Sequence, residues 1–273
     1  MTDITAWVGS EQSQTARIDP GLDAELRGVL GLPADGSGAL LHGLHWLVFD
    51  RFAPASATGV DGHPRRGGFL PPIELPRRMW AGGRLEFLQP IEEGDTLTRN
   101  SRVESVTRKE GRAGELVFVT VSHEVHGASG LLIKEEQDLV YLDIAPAKPR
   151  GAAVELEERT PLHTAVTPDE VMLFRYSALT RNSHRIHYDA EYAREVELYP
   201  ALVVHGPLTA TLLMWFSAQC AGERPLRSFS FRGQSPLYVG DAVRLEAAAS
   251  DQGYELVARN PADGVGMSAA VGL

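Results

Sequence analysis

Residues 176–189, YSALTRNSHRIHYD, bring an asparagine, two histidines, two arginines and an aspartate into one short stretch. An apolar-periodic segment at residues 168–178 precedes these polar residues, an acidic segment at 190–197 follows them, and both segments are predicted to be helical. A turn between two helices can direct several polar side chains toward one point. Histidine both accepts and donates a proton near neutral pH, so this turn is a candidate for acid–base catalysis.

This stretch resembles the hydratase motif of the MaoC-like family of (R)-specific enoyl-CoA hydratases and 3-hydroxyacyl thioester dehydratases. In that motif, Ser-Gly-Asp-x-Asn-Pro-Ile/Leu-His-x-Asp, His187 takes the place of the catalytic histidine and Asn182 that of the first aspartate. The family's second motif, His-Gly-Met-Leu, is matched by residues 205–208, HGPL. The variant with Asn182 is similar to a double hot dog branch, which holds mitochondrial-type dehydratases and mesaconyl-CoA and itaconyl-CoA hydratases. Residues 76–83, PRRMWAGG, and 135–141, EEQDLVY, extend the resemblance into the first half of the chain.

The resemblance implies an α+β fold, a double hot dog of two curled antiparallel sheets, each around a long central helix. It implies a hydro-lyase that adds water to, or removes it from, an acyl-CoA thioester. The most specific expectation is hydration of a C5 dicarboxylyl-CoA, mesaconyl-CoA or itaconyl-CoA, to citramalyl-CoA. Three alternatives stay open: a 3-hydroxyacyl thioester dehydratase of fatty-acyl metabolism, a hot dog thioesterase, and a non-catalytic acyl-CoA-binding protein. A pocket that ends in an arginine favours the dicarboxylyl substrate, and a long apolar tunnel favours a fatty-acyl one.

The resemblance also assigns catalytic roles to His187, Asn182 and Gly206. Hydration needs a group that takes a proton from water and returns one to the α-carbon. His187 is expected to do this, because the Asn182 amide can orient water or the thioester but cannot act as a base. The backbone N–H of Gly206, at a helix start, is expected to stabilise the thioester oxygen as it gains negative charge. Asp189 either orients the His187 imidazole or caps the helix that follows.

Six side chains are predicted to contact substrate. They are His184, Arg185, Asp189, His205, Arg77 and Arg78. Arg185 lies two residues from His187 and is a candidate partner for a second carboxylate on the substrate, with surface exposure as the alternative. The alternative for His184 is a bond to the loop backbone, and for His205 it is a helix-entry turn.

Four arginines stand out in an acidic chain, and all of them precede residue 80. They are Arg65, Arg66, Arg77 and Arg78. Arginine pairs with phosphate through two parallel hydrogen bonds, so this cluster is predicted to clamp the phosphates of CoA. Ordinary surface charge is the competing interpretation.

No metal and no cofactor is predicted, since CoA enters as part of the substrate. His123 and His126 flank a glutamate, but residues three apart in a strand face opposite sides, and the pattern is not His-Glu-x-x-His. His184 and His187 would need further ligands, and the sequence places no cysteine or carboxylate set beside them.

The most apolar helix is predicted to begin near Gly206. Its apolar residues continue on almost every side to Cys220, which predicts a helix wrapped by other structure. A matching stretch at residues 41–52 is predicted to enter a buried helix in the first half. The Gly94-Asp95 and Gly240-Asp241 turns each precede a strand-like run, and this repetition indicates a duplication.

The proline-rich segment 146–153 predicts a linker. It separates an N-terminal domain, residues 1–145, from a C-terminal domain, residues 154–273. Residues 55–72 are rich in glycine, proline and arginine and predict a long loop, which is a candidate substrate flap because structureless loops of such length are uncommon unless functional.

The composition limits the partners. A formal net charge of −10 argues against nucleic acid and anionic membranes, which need a basic surface. The single cysteine, Cys220, excludes an intrachain disulfide and is expected in the core. No leader and no apolar run of membrane-spanning length is evident, so a cytoplasmic enzyme is expected. Exposed sheet edges commonly pair, which predicts a homodimer or a higher oligomer.

Overall fold

The computed structural model describes residues 3–33, 39–111, 114–147, 150–154 and 160–273. Those residues form ten β-strands and four α-helices. The strands are β1 Glu11–Arg17, β2 Arg77–Phe87, β3 Thr96–Gly111, β4 Gly114–Gly127, β5 Gly130–Leu142, β6 Leu162–Val166, β7 Ser228–Gly233, β8 Val243–Ser250, β9 Gly253–Arg259 and β10 Val265–Gly272. The α-helices are α1 Leu22–Leu30, α2 Glu170–Thr180, α3 Ala190–Glu195 and α4 Gly206–Ala221. Short 3₁₀ helices lie at Ile4–Trp7, Leu44–Leu47, Ala55–Ala57 and Arg185–His187.

The described strands form one antiparallel sheet in the order β1-β3-β4-β5-β2-β7-β10-β9-β8-β6. Strand β2 joins the two halves, because it pairs with β5 along one side and with β7 along the other. The order in the second half mirrors that in the first, so that β3 corresponds to β8 and β2 to β7. Gly94 and Gly240, with φ of 87° and 79°, precede the corresponding strands β3 and β8. The duplication predicted from the two Gly-Asp turns therefore agrees with the topology.

Helix α4 is the buried helix predicted at Gly206. It runs for 16 residues, and ten of them are buried, which explains why apolar residues surround it on almost every side. It packs against β7, β8, β9 and β10, so the sheet of the second half curls around it. None of the helices in the described ranges is long and apolar enough to cross a membrane.

Among the described residues of the first half no helix corresponds to α4, and the prediction of a buried helix at residues 41–52 is wrong. A 3₁₀ helix of four residues, Leu44–Leu47, stands there. The reason is polar: His45 Nε2 and Trp46 Nε1 both contact the buried carboxylate of Glu135, at 3.0 and 2.9 Å. Because these two neighbours must reach one carboxylate, the chain turns tightly. Part of the first-half sheet therefore faces a cavity, whereas the second-half sheet packs against α4.

The remaining sequence-based elements lie close to their predicted positions. The helices predicted at 168–178 and 190–197 correspond to α2 and α3. In β4, Val117, Val119 and Val121 are buried in alternation, as a strand with one face on the core requires. Of the predicted linker at 146–153, positions 148 and 149 lie outside the described residues, as do 155–159 just after it. The domain division at 145 and 154 stays a prediction.

Candidate active site

A cavity of about 710 Å³ lies where the two halves of the sheet meet. Strands β2 and β5 of the first half contribute Trp80 and Leu139 to its wall. The second half contributes the first turn of α4, at residues 206–207, and the predicted catalytic turn, through residues 180–184 and 186–187. The fold therefore brings both sequence motifs to one cavity.

Asn182 shapes the catalytic turn. Helix α2 ends at Thr180, whose hydroxyl donates to the Tyr176 carbonyl, and the chain turns at Arg181 with a left-handed φ of 53°. The side-chain oxygen of Asn182 accepts a hydrogen bond from the backbone N–H of His184 at 3.0 Å. The amide NH₂ is then the part of Asn182 that can donate to a ligand in the cavity. This arrangement is compatible with the predicted orienting role.

His187 has one nitrogen held by the backbone. Its Nδ1 lies 2.7 Å from the carbonyl oxygen of Val203, and it must donate there because a carbonyl only accepts. In the neutral ring Nε2 then carries the lone pair, and His187 is part of the cavity wall. Burial lowers the pKa of His187 from 6.5 to about 4. The His187 ring is therefore neutral at physiological pH and held in one orientation, as its predicted role as a base requires.

This environment predicts an acid limb at unusually low pH. The reactive form of His187 is the neutral imidazole, so kcat/KM should fall only as the pH drops through about 4, and not through 6.5. A pH profile of kcat/KM measured on the intact enzyme tests this, and an acid limb at 6.5 would contradict it.

The lowered pKa of His187 also predicts that the protein is less stable at pH 5 than at pH 7. At pH 5 the histidine is protonated in the unfolded chain but stays neutral in the folded protein, so protonation stabilises the unfolded state. Chemical denaturation at the two pH values measures that difference.

The ring of His205 packs against the ring of His187. Its ring stacks on the His187 ring with a centroid distance of 3.6 Å and an angle of 18° between planes. Its Nε2 lies 2.8 Å from the hydroxyl of Ser177, and the residue is completely buried. Burial, followed by the nearness of His187, holds the pKa of His205 well below its usual value. His205 does not lie on the cavity wall, which corrects the predicted substrate contact: its ring packs against that of His187.

Gly206 stands at the cavity as the first residue of α4, after His205 in extended conformation. The first backbone N–H groups of a helix have no intrahelical partner, and they carry the positive end of the helix dipole. Pro207 has no N–H, so Gly206 supplies the first donor of α4. This placement fits the predicted oxyanion role, which stays a prediction.

The 55–72 loop of the first half packs onto the catalytic turn and lines the cavity. The backbone N–H of Arg185 donates to the Asp61 carbonyl at 2.9 Å, and the Ser183 hydroxyl donates to the Gly62 carbonyl at 2.6 Å. His63 lies on the cavity wall, with its ring centroid 4.2 Å from that of His184. Sequence reasoning selected this loop by its length but did not single out His63. A histidine inside a long loop that was already marked as functional was the available signal.

Asp61, His63 and His184 come close enough to offer one ligand atom each within 4.8 Å of one another. The sequence analysis expected no carboxylate beside His184. The structure places Asp61 there, which corrects that expectation. We assign no ion to the group, because His63 Nδ1 lies 3.3 Å from the Asp61 carboxylate and uses it as a partner. Burial and then the positive charge of Arg78 also lower the pKa of His63. The same charge of Arg78 would repel a metal ion bound at this group. The prediction of no metal stays a prediction.

Arg77 points away from the cavity, contrary to its predicted substrate contact. Its Nε lies 3.0 Å from the Glu197 carboxylate, and its guanidinium covers the Tyr199 ring at 4.5 Å from the centroid. Both partners of the ion pair are buried. Removing one partner of such a pair leaves an uncompensated buried charge, so Arg77 is a structural residue.

Arg185 and Asp189 also serve the structure. Arg185 Nη2 lies 2.7 Å from the Asp189 carboxylate, and the Arg185 side chain is 39% exposed. Asp189 also accepts from the backbone N–H of Tyr192 and so caps α3. Neither residue lines the cavity. These contacts correct the predicted substrate role of both residues, and of the two roles weighed for Asp189 the cap is the one observed, since Val203 orients His187 instead.

The remaining predicted contacts, His184 and Arg78, do lie on the cavity wall. Arg65 and Arg66 of the same arginine cluster line it as well. Arg66 is held in place, because its guanidinium donates to the carbonyl groups of three residues. They are Ile73, Leu75 and Pro76.

Known proteins share sequence with most of this chain. The family model described as hydroxyacyl-thioester dehydratase type 2 matches residues 43–239. A mesaconyl-C4-CoA hydratase of Chloroflexus aurantiacus is 46% identical over 233 residues, which cover 84% of this chain and 82% of that protein. The mitochondrial type 2 hydroxyacyl-thioester dehydratase of Schizosaccharomyces pombe is 30% identical over 76% of this chain and 77% of its own length.

The fold also has solved counterparts. A Mycobacterium tuberculosis protein described as a double hot dog fold superposes with a TM-score of 0.59 at 15% identity, over 97% of this chain and 95% of its own. The α+β double hot dog fold is thereby confirmed, and so is the resemblance to the MaoC-like superfamily. The relatives are hydratases and dehydratases, and this chain is a hydro-lyase. It belongs to the type 2 hydroxyacyl-thioester dehydratase family.

Proposed function

We propose that this hydro-lyase adds water to a C5 dicarboxylyl-CoA, mesaconyl-CoA or itaconyl-CoA, and forms citramalyl-CoA. One observation carries the hydration chemistry: His187 donates Nδ1–H to the Val203 carbonyl, so its Nε2 lone pair is available at the cavity beside the α4 N-terminus. A fixed tautomer matters because a base that must first reorient loses part of its advantage.

The proposed reaction needs three groups of this chain. In mesaconyl-C4-CoA, His187 Nε2 takes a proton from water as the oxygen attacks the β-carbon, and the electrons of the double bond move onto the thioester as an enolate. The double bond of itaconyl-CoA joins the β- and γ-carbons, so His187 must first take a proton from the α-carbon and return it to the γ-carbon, which moves the double bond next to the thioester. The Gly206 N–H stabilises the thioester oxygen, which removes the need for solvent to reorganise. His187 then returns its proton to the α-carbon, and the Asn182 amide orients the water or the thioester. Since protein groups supply every step, we propose no cofactor beyond the CoA of the substrate.

The substrate class rests on the 46% identical relative, which is named for mesaconyl-C4-CoA. A fatty-acyl substrate is the second candidate, after the 30% identical relative. The lining of the cavity favours a short, charged acyl group, because it includes the polar side chains of Gln14, Arg99 and His123. His123 Nε2 is buried there without a hydrogen-bond partner among the described residues. An alkyl tail packed against these groups would remove water from them and offer no hydrogen bond in return, which costs free energy.

The experiment compares the turnover of mesaconyl-C4-CoA, itaconyl-CoA, crotonyl-CoA and a long-chain 2-enoyl-CoA. Products are identified by the mass of one added water, and free thiol is measured in parallel. We expect hydration of the C5 dicarboxylyl esters at a kcat/KM at least ~10-fold above that of the others, a difference of about 1.4 kcal/mol in transition-state binding. Preference for the long chain would establish the fatty-acyl alternative. Thiol release without hydration would establish a thioesterase, and binding without either reaction a non-catalytic protein.

A further inference from the structure

The cavity is lined by more arginine side chains than carboxylates pair with. Six arginines line it, Arg51, Arg65, Arg66, Arg78, Arg99 and Arg181. Four of them donate to protein carbonyl, carboxylate or amide oxygens: Arg51, Arg66, Arg99 and Arg181. Arg65 and Arg78 have no ion-pair partner among the described residues. These two guanidinium groups are therefore the ones available to an anionic ligand.

Arg65 and Arg78 differ in where they stand. Arg65 is exposed on the 55–72 loop, whereas Arg78 is half-buried on β2. The position of Arg65 suits the phosphates of CoA, which stay near solvent. The position of Arg78 suits an anion that enters the cavity with the acyl group.

Among the described residues, no carboxylate forms an ion pair with Arg78. Its neighbour in the β2–β5 pairing is Tyr141, whose buried hydroxyl interacts with Arg78. Burial raises the pKa of Tyr141, so this hydroxyl is neutral and leaves the charge of Arg78 in place. Arg66 lies over the Tyr141 ring at 5.3 Å from the centroid and adds a second positive charge. Asp61 is affected by the charge of Arg78 but forms no ion pair with it. A half-buried guanidinium without a counter-ion is costly, and an incoming carboxylate removes that cost.

Arg78 lines the same cavity as His184 and His187. Its charge contributes to lowering the pKa of His184, after burial and the two neighbouring histidines. The His184 ring in turn lies 5.5 Å from the His187 ring. In mesaconyl-C4-CoA the free carboxylate is bonded to the β-carbon, the same carbon that water attacks. A carboxylate partner must therefore share the cavity with His184 and His187, and Arg78 lines that cavity.

We infer that Arg78 forms a subsite for the free carboxylate of the acyl group, and that it makes the enzyme selective for dicarboxylyl thioesters. The inference rests on the proposed function. It also moves the carboxylate partner from Arg185, where the sequence placed it, to a residue of the other half of the chain. Arginine suits the task because its planar fork binds both carboxylate oxygens.

The test uses two unreactive thioesters that differ only in this carboxylate. Methylsuccinyl-CoA linked through the carboxyl group remote from its methyl carries a carboxylate where isovaleryl-CoA carries a methyl group. Dissociation constants are measured by calorimetry for wild type, Arg78→Gln and Arg84→Gln. Arg84 lies on the same strand but is exposed and paired with Glu136 and Asp138, so it is the matched control.

We expect wild type and Arg84→Gln to bind the charged analogue at least ~30-fold more tightly than isovaleryl-CoA, as loss of a desolvated charge pair implies. In Arg78→Gln the preference should shrink to less than ~3-fold, through weaker binding of the charged analogue alone. Equal weakening of both analogues, or no preference in wild type, would overturn the inference. These constants do not depend on turnover, so a wild type that prefers the charged analogue but hydrates no C5 dicarboxylyl ester would reject the proposed function alone.

Discussion

His187→Asn is expected to lower kcat for enoyl-CoA hydration by about 10³-fold, within the range of positioned acid–base groups. Asparagine can still donate to the Val203 carbonyl from nearly the position of Nδ1, but it offers nothing in place of Nε2. The variant therefore removes the base while it keeps the hydrogen bond that holds the segment. Single-turnover hydration measured by quenched flow gives the chemical step directly.

The matched control for this variant is His163→Asn. His163 is exposed on β6, and its Nδ1 lies 3.2 Å from the Thr160 carbonyl, so it makes the same kind of contact away from the cavity. The control should keep wild-type kcat, and both variants should show cooperative thermal unfolding. If His187→Asn kept more than a tenth of the wild-type rate, the base would have to be another group, with His63 and His184 the nearest imidazoles on the wall.

Gly62→Ala is expected to cost about 100-fold in kcat, because it separates the 55–72 loop from the catalytic turn. Gly62 has a φ of 91°, and a Cβ built on it would lie 1.8 Å from the backbone oxygen of Ser183. No rotamer relieves a clash between Cβ and backbone, so the loop or the turn must move. A displacement of ~1 Å in a positioned catalytic group costs about 10² in rate. The strain and the lost contacts should also lower the free energy of unfolding by about 3 kcal/mol.

Gly68→Ala is the control for that variant, since Gly68 belongs to the same loop and has no atom within 4 Å of a built Cβ. Steady-state kinetics and urea unfolding of the two variants separate a local clash from a general effect of alanine in the loop. Equal behaviour of Gly62→Ala and Gly68→Ala would show that the contact between loop and turn does not position the site.

Elements and motifs with local signals can be predicted from the order of the residues alone. The apolar surface of α4 marks it as a buried helix, the alternation of β4 marks a strand, and the hydratase motif selects His187 within its turn. The repeated Gly-Asp turns predicted the duplication, because a tight turn before a strand needs the same residue types in both halves. These properties depend on residues close together in the chain.

The tertiary structure alone decided which distant groups complete the site. Arg77 and Arg78 are neighbours in the sequence, but alternate residues of β2 face opposite sides, and only the folded sheet shows which side is the cavity. His63 reaches His184 from the other half of the chain, and the Val203 carbonyl orients His187 with no side-chain signal at all. Backbone carbonyls occur at every residue, so their use as partners leaves no mark in a sequence.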